Sequence, residues 1–273
     1  FLAELIRDAA GRPLDYRFLE INQAFARQSG LPDDSVGRTI RELVPDIEQW
    51  VIDRYATVVD TGEPTLFEIT VAALDRSFEV RAGHESDQRF SCLFLDVTER
   101  AQNETRRLAI AELGDRLRHL SDPVTISFTA AEIVGRTLGL SHAGYGAVDQ
   151  DRETILIGRG WSAQNIPRID GLHHFREYGS YIDELKTGGT VLIEDVTSDP
   201  RTVADAASLI PISIRSLLNL PVMEHGRFMA LLYAAKDVPH AWTTEEIGFV
   251  RNVADRTRAA IARIEAEAQQ RVL

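Results

Sequence analysis

The stretch at residues 97–120 most constrains how this chain can fold. It begins with the letters VTER, is rich in Glu, Arg and Ala, and has few turn-forming residues. Leu113, Leu117 and Leu120 are spaced by four and three positions, which predicts an amphipathic helix. Because turn-rich segments lie on both sides of it, we predict two domains, at residues 1–100 and 121–273, and a connecting helix at 101–120. The chain has 273 residues and is 44% hydrophobic, which is enough apolar material for two cores.

The segment before this helix carries strand signals on both sides of a helical part. β-Branched and aromatic runs with alternating polarity predict the strands, and apolar residues three and four positions apart predict the helix. The predicted elements are a hairpin at residues 1–25, a helix at 46–61 and strands at 65–72, 76–82 and 90–96. Helices inserted between a hairpin and three successive strands predict an α+β domain with a central antiparallel sheet flanked by helices.

The segment after the connecting helix has the same kind of composition in a different order. It opens and closes with a helix, and the last one starts at a Thr-Glu capping pattern near Thr243. The predicted elements are helices at 122–138, 181–187 and from 244 onward, and strands at 143–148, 154–159, 191–193, 216–222 and 227–234. This order predicts a second α+β domain with an antiparallel sheet, and we predict that residues 160–180 are a loop.

Charge and composition exclude several classes of function. The formal net charge of −12 argues against binding to nucleic acid, which needs clustered Lys and Arg. No uncharged apolar run reaches about 18 residues, so we expect no direct membrane insertion. Cys92 is the only cysteine, which fits a reducing compartment, and we expect a cytoplasmic protein. Neither metal-ligand spacing nor a nucleophile–base pair is visible, so we predict no metal site and no catalytic residue.

The first segment resembles a PAS domain. The resemblance rests on the run YRFLEINQAF at residues 16–25, on Ser29-Gly30-Leu31 and Val36-Gly37-Arg38, and on the exit LDVTER at residues 95–100. In PAS domains the Asp of that exit usually pairs back to the domain, and the Thr starts the outgoing helix. The resemblance implies a PAS domain at residues 1–100, and we expect its N-terminus to be truncated, because Phe1 looks like a cut end.

The second segment is similar to a GAF domain. The residues that carry the similarity are Gly144-Tyr145-Gly146, the run IEDVTSDPR at 193–201, the run IRSLL at 214–218 with Pro221-Val222, and AWTTEE at 241–246. The similarity covers about residues 110–265. It implies that residues 121–273 are a GAF domain with a C-terminal signalling helix.

A PAS domain followed by a GAF domain resembles the sensory half of a bacterial sensor histidine kinase, with the HWE class as one candidate. This implies a signal-input module of a two-component system that relays ligand or partner binding through helices to a downstream output domain. The catalytic half of such a kinase is absent, so we expect no enzyme activity in these residues. Two alternatives stay open. One is a ligand-free module for dimerisation and protein docking, and the other is the input region of a cyclic-dinucleotide cyclase or phosphodiesterase.

The attachment residues of the cofactors common in these families are missing. Ile40 stands where a flavin-binding photosensor would have its reactive cysteine, and the helix at 46–61 has no histidine for haem. For a bilin, no cysteine lies beyond Cys92, and Ile212 and Ser213 stand where a histidine would precede Ile214. We therefore predict that the protein has no flavin, haem or bilin, while an unidentified small-molecule ligand is allowed.

Aromatic and histidine residues are the candidates for ligand pockets in both domains. Core packing, or a packed lid with surface histidines, would explain the same residues without a ligand. The candidates are Trp50, Tyr55, Phe67, Phe78 and Phe94 in the first domain, and Tyr145, Trp161, His173, His174, Tyr178 and Tyr181 in the second.

The last helix has an apolar stripe at spacings of three and four residues, which is compatible with a coiled coil. We expect part of it to pack on its own sheet and the part beyond about Ile261 to contact a second chain. The predicted homodimer seam consists of Val250, Val253, Thr257, Ile261, Ile264 and Ala268.

Overall fold

The computed structural model describes residues 1–71, 74 and 76–270. Contacts between Cα atoms divide the chain into two compact units, Phe1–Gln102 and Asn103–Leu273. We call them the N-terminal unit and the C-terminal unit. Both are α+β, and each has an antiparallel sheet flanked by helices, as predicted. No helix in the described part of the chain is both long and apolar enough to cross a bilayer.

The N-terminal unit is built on a five-stranded antiparallel sheet with the order β2-β1-β5-β4-β3. The elements are β1 (Leu2–Arg7), β2 (Pro13–Glu20), α1 (Ala24–Ser29), α2 (Ile40–Leu43), α3 (Gln49–Thr61), β3 (Thr65–Val71), β4 (Arg76–Ser86) and β5 (Arg89–Asp96). α4 (Thr98–Leu117) begins in this unit, and most of its residues belong to the C-terminal unit. The predicted hairpin, helix and three strands are all present. Residue 72, the predicted end of the third strand, lies outside the described residues. β4 is four residues longer than predicted, because it pairs with β5 almost to the turn between them.

The C-terminal unit contains a seven-stranded sheet with the order β10-β11-β12-β6-β7-β9, and β8 pairs with β6 beside this path. The elements are α5 (Pro123–Leu138), β6 (His142–Asp149), β7 (Thr154–Ile157), β8 (Trp161–Ser162), β9 (Gly171–His174), α6 (Ile182–Lys186), β10 (Val191–Ile193), α7 (Ala206–Leu209), β11 (Ser216–Glu224), β12 (Arg227–Lys236) and α8 (Thr244–Gln270). β8 and β9 lie where we predicted a loop. They have two and four residues, too few to show a periodic pattern.

Alternation along the strands gives the sheet of the C-terminal unit two apolar faces. On β12, Leu232 and Ala234 pack with α5 and α8, whereas Leu231 and Tyr233 belong to a separate cluster on the other face. We call these the helix face and the pocket face. Successive side chains of a strand point to opposite faces, so neighbouring residues of β12 contact different parts of the unit.

α8 is fixed at its start and along most of its length. The Thr243 hydroxyl accepts a hydrogen bond from the Glu246 amide (3.2 Å), and the Glu246 carboxylate accepts one from the Thr243 amide (2.9 Å). This reciprocal pair is the capping box predicted from the sequence. Four of the predicted seam residues are buried in the core of the helix face, and these are Val250, Val253, Thr257 and Ile261.

Candidate functional site

The candidate site is a cavity on the pocket face of the C-terminal unit. It encloses about 70 Å³ between the sheet and the segment that runs from β9 to β11. Its lining is mostly aliphatic, with a few polar side chains among the apolar ones, which is the usual character of small-molecule sites. The side chains that carry hydrogen-bonding groups are His173, Tyr178, Tyr181, Asn219 and Tyr233.

Two buried polar residues of neighbouring strands face this cavity. Asn219 on β11 and Tyr233 on β12 are directly opposite each other in the ladder, and both are almost fully buried. The Asn219 side chain hydrogen-bonds the Tyr181 hydroxyl, and burial raises the pKa of the Tyr181 phenol well above its usual range. The Tyr233 hydroxyl has no hydrogen-bond partner among the described residues. A buried donor without a partner is costly, so the wall of the cavity contains an unsatisfied hydroxyl.

His173 stands at another side of the cavity and is held by two hydrogen bonds. Its Nε2 is 2.8 Å from the carbonyl oxygen of Ile169, and its Nδ1 is 3.0 Å from the Tyr178 hydroxyl. The carbonyl can only accept, so Nε2 carries a proton. In the tautomer protonated only at Nε2, Nδ1 accepts a hydrogen bond from Tyr178. The ring is therefore oriented before any ligand enters.

Glycines on β6 make room for the cavity wall. A Cβ at Gly144 would lie 2.4 Å from the Tyr233 ring, and one at Gly146 would lie 2.6 Å from the Ile155 side chain. Real Cβ atoms do not approach other atoms so closely. The Gly-Tyr-Gly run therefore lets Tyr233 and Ile155 lie flat against the strand, and Tyr145 between the glycines points to the helix face.

Charged pairs hold the loop that passes from β10 to β11. Asp195 accepts hydrogen bonds from the guanidinium of Arg215 (2.8 Å) and from the amide of Thr197 (2.9 Å). The bond from Arg215 is the largest cause of a pKa that lies far below the usual range for Asp195. Arg201 binds Asp199 (2.8 Å) and the carbonyl oxygen of Leu192. Polar residues of the IEDVTSDPR run therefore hold this loop in place.

The structure brings three of the six predicted pocket residues of this unit to the cavity: His173, Tyr178 and Tyr181. Tyr145 lies on the helix face, for the reason given above. Trp161 packs on α5, where a Cβ at Gly135 would lie 2.1 Å from its ring, and His174 is exposed on the other side of β9. Sequence reasoning did not single out Asn219 and Tyr233. Each is a polar residue in a buried apolar strand, and that pattern was the available signal.

The N-terminal unit has its own cavity, also of about 70 Å³, lined by Tyr55, Phe78 and Phe94 among others. The other two predicted residues of this unit do not line it. Trp50 is 43% exposed on α3, and its ring packs edge-to-face on Phe67, 5.7 Å away between centroids. Tyr55 and Phe78 are also part of the buried core of this unit, and Phe94 packs against it.

Cys92 is buried in the same unit. Its sulfur is 3.7 Å from the Tyr55 hydroxyl, and burial raises the pKa of the thiol to about 12. A thiol in this state is a poor nucleophile. Within the part of the chain that the structure describes, no group of three or more His, Cys, Asp or Glu residues could hold a metal ion.

Comparison with known proteins identifies one family. The family model described as "GAF domain" matches residues 122–261, just over half of the chain. No curated protein sequence matches this chain.

Three solved structures illustrate the shared fold. The chromophore-binding domain of an unusual bacteriophytochrome from R. palustris is 12% identical, with 97% of this chain and 94% of that chain covered and a TM-score of 0.52. The phycocyanobilin-bound GAF domain of a cyanobacterial phytochrome is 16% identical, with 59% and 96% covered and a TM-score of 0.51. The phycoerythrobilin-bound GAF domain of a cyanobacterial phytochrome is 15% identical, with 60% and 97% covered and a TM-score of 0.51. At these levels of sequence identity, the similarity shows a shared fold and nothing more.

These structures correct one prediction. We expected no flavin, haem or bilin, because the attachment residues known from those families are missing. Bilin-bound GAF domains nevertheless share the fold of this chain. The prediction is therefore wrong as stated: the absence of a cysteine beyond Cys92 is no ground for excluding a bound cofactor.

Proposed function

Because this chain belongs to the GAF domain family, we propose that it is a signal-input module whose C-terminal unit binds a small molecule in the cavity on the pocket face. The observation that carries the proposal is Tyr233, which lines this cavity and whose buried hydroxyl has no hydrogen-bond partner among the described residues. A ligand with a hydrogen-bond acceptor would satisfy it. The bilin-bound neighbours support the idea that this fold can hold a ligand.

Strand β12 contacts both the cavity and the core beneath α8. Tyr233 faces the cavity, and its neighbours Leu232 and Ala234 lie in the cluster that also contains Val250 and Val253 of α8. A ligand that shifts β12 would therefore change the packing under α8. A regulatory ligand must interact differently with two states, and the position of α8 is the candidate two-state element.

We further propose that the N-terminal unit is a PAS domain. The exit sequence supports this, because its contacts match what the resemblance implies. Asp96 pairs with Arg76 (3.1 Å) and accepts a hydrogen bond from the Thr98 amide (2.9 Å). The Thr98 hydroxyl accepts one from the Ser77 amide (2.9 Å), where α4 begins.

The wider assignments are also proposals. A tandem of PAS and GAF domains suits the input region of a cytoplasmic bacterial sensor histidine kinase, with no chemistry of its own and an output domain elsewhere in the parent protein. The second candidate is a ligand-free docking or dimerisation module. The small volume of both cavities favours it, since about 70 Å³ leaves little room beside the packed side chains.

Ligand binding to the purified chain tests the proposal. The probes are phenol, indole and biliverdin, measured by thermal shift and by native mass spectrometry. We expect at least one probe to bind the wild type and raise its melting temperature, because a ligand that binds only the folded state stabilises it. We expect Tyr233→Phe to reduce that shift.

The matched control is Ser216→Ala. Ser216 on β11 is also buried, and its hydroxyl also has no partner among the described residues, but it does not line the cavity. This variant should keep the full shift. A chain that binds none of the three probes, or a shift that Tyr233→Phe leaves intact, would favour the docking module.

A further inference from the structure

A larger groove lies on the helix face of the C-terminal unit, on the opposite side of the sheet from the cavity described above. It encloses about 460 Å³, within the range of about 300–1,000 Å³ typical of ligand clefts. Its floor is a row of paired residues on three adjacent strands: Ala230, Ala147 and Leu156. The first turn of α5 and the later part of α8 form its walls.

The two helices cover Ala230 but leave Ala147 and Leu156 exposed. Along β6 the residues that point to the helix face are Ala143, Tyr145 and Ala147; the first two are buried and the third is exposed. Leu156 is 54% exposed, and Val124 and Met229 beside it are also exposed. An apolar patch with polar residues at its rim is a common sign of a binding surface.

One end of the groove carries a cluster of one arginine and two glutamates. Arg258 pairs with Glu224 and, at 3.2 Å, with Glu265. Tyr145 lies near these groups and is only 6% exposed. Its buried hydroxyl has no hydrogen-bond partner among the described residues. The groove thus contains an unsatisfied donor beside two carboxylates, and those carboxylates would repel an anion at this end.

Arg159 on the groove lining is in a different situation. Its guanidinium carbon lies 3.8 Å from the centroid of the Phe128 ring, a cation–π contact that holds the side chain in place. No ion pair involves Arg159 in the chain as described. An oriented guanidinium without a carboxylate partner is suited to bidentate binding of an incoming carboxylate.

We propose that this groove binds an aliphatic carboxylate. The aliphatic part of the ligand would lie on the row of Ala230, Ala147 and Leu156. Its carboxylate would bind Arg159, away from Glu224 and Glu265. Because Glu224 and Glu265 would repel a second anionic group, the ligand should carry only one negative charge. This site is separate from the cavity that contains Tyr233, and the proposal does not depend on the function proposed for that cavity.

Calorimetric titration of the full chain with sodium octanoate tests the inference. We expect the wild type to bind octanoate and Arg159→Met to bind it at least about tenfold more weakly, since a charged hydrogen bond contributes about 1.5–3 kcal/mol. The neutral analogue octanol should bind wild type and Arg159→Met equally. Arg107→Met is the matched control, because Arg107 is exposed on α4 and does not line the groove.

Ala147→Trp supplies an independent block. Position 147 is exposed, so the larger side chain can fill the groove without entering the core. Circular dichroism should show an intact fold while octanoate binding is lost. No binding of octanoate, or equal binding by Arg159→Met, overturns the proposal.

Two further outcomes would also overturn it. If octanoate displaces phenol or indole, then it binds in the other cavity. If Ala147→Trp changes the oligomeric state in light scattering while octanoate does not bind, then the groove is a contact between copies of the chain.

Discussion

At the scale of single residues, the contact between Gly144 and Tyr233 leaves no room for a Cβ atom at the wall of the cavity. We expect Gly144→Ala to lower the free energy of unfolding by about 1–3 kcal/mol, because the new methyl group would overlap the ring. Urea denaturation measures this. Gly248→Ala is the control, since a Cβ there meets no atom within 4 Å and lies in α8, where alanine should stabilise by about 0.5–1 kcal/mol. Equal effects of the two changes would contradict this account.

His142 should make stability depend on pH. It is fully buried on β6, its Nε2 is 2.7 Å from the Ile212 carbonyl oxygen, and its Nδ1 has no partner among the described residues. Burial lowers the pKa of this histidine below its usual value of about 6.5. Between the lowered pKa and about 6.5 the unfolded chain binds more protons than the folded chain.

The free energy of unfolding should therefore fall as the pH drops below about 6.5, by at most about 1.4 kcal/mol per pH unit from this group. Denaturation curves at pH 7.5 and 5.5 measure the change. His142→Gln cannot titrate, so its stability should vary less over that interval. An identical pH dependence in both proteins would show that another group is responsible.

At the scale of elements, the start of α8 depends on its capping box. We expect Thr243→Ala to lower the free energy of unfolding by about 1 kcal/mol, because the amide of Glu246 loses its acceptor. Thr243→Ser keeps the hydroxyl and should cost much less. The two variants can be compared by thermal and chemical denaturation, and equal losses would show that the hydroxyl is not what stabilises this helix end.

The same helix shows what the sequence can predict about an element. Its cap residues and its apolar spacing are local signals, so its start and its buried face follow from the sequence. β8 and β9 could not be predicted, because strands of two and four residues depend on pairing with β6 and β7. For a related reason, only some of the polar residues that line the cavity could be predicted. His173, Tyr178 and Tyr181 stand out in a predicted loop, whereas Asn219 and Tyr233 lie in apolar strands, and only the folded sheet brings them to the cavity.

At the scale of the whole molecule, the predicted homodimer stays a prediction, and the structure narrows its contact surface. Val250, Val253, Thr257 and Ile261 are buried in the C-terminal unit itself. Only the end of the stripe has free surface, since Ile264 is half-buried and Ala268 is exposed. A second chain can therefore contact this stripe only at its end without opening the core.

Two substitutions should separate dimerisation from folding. Ala268→Glu should weaken self-association without changing the melting temperature, because the new charge lies on an exposed position. Ile261→Glu should lower the melting temperature at every concentration, because it places a carboxylate in the core. Light scattering and thermal denaturation over a concentration series measure both. A chain that is monomeric at all concentrations would contradict the dimer.

The alternation along β12 also limits how such a protein can diversify. Leu231, Tyr233 and Ala235 face the cavity side, while Ala230, Leu232 and Ala234 face the helices. Under the function proposed above, the residues that select a ligand could therefore change at every second position of β12 without altering the residues that support α8. Two related proteins could then differ in the compound they bind and still transmit its binding through the same helix packing.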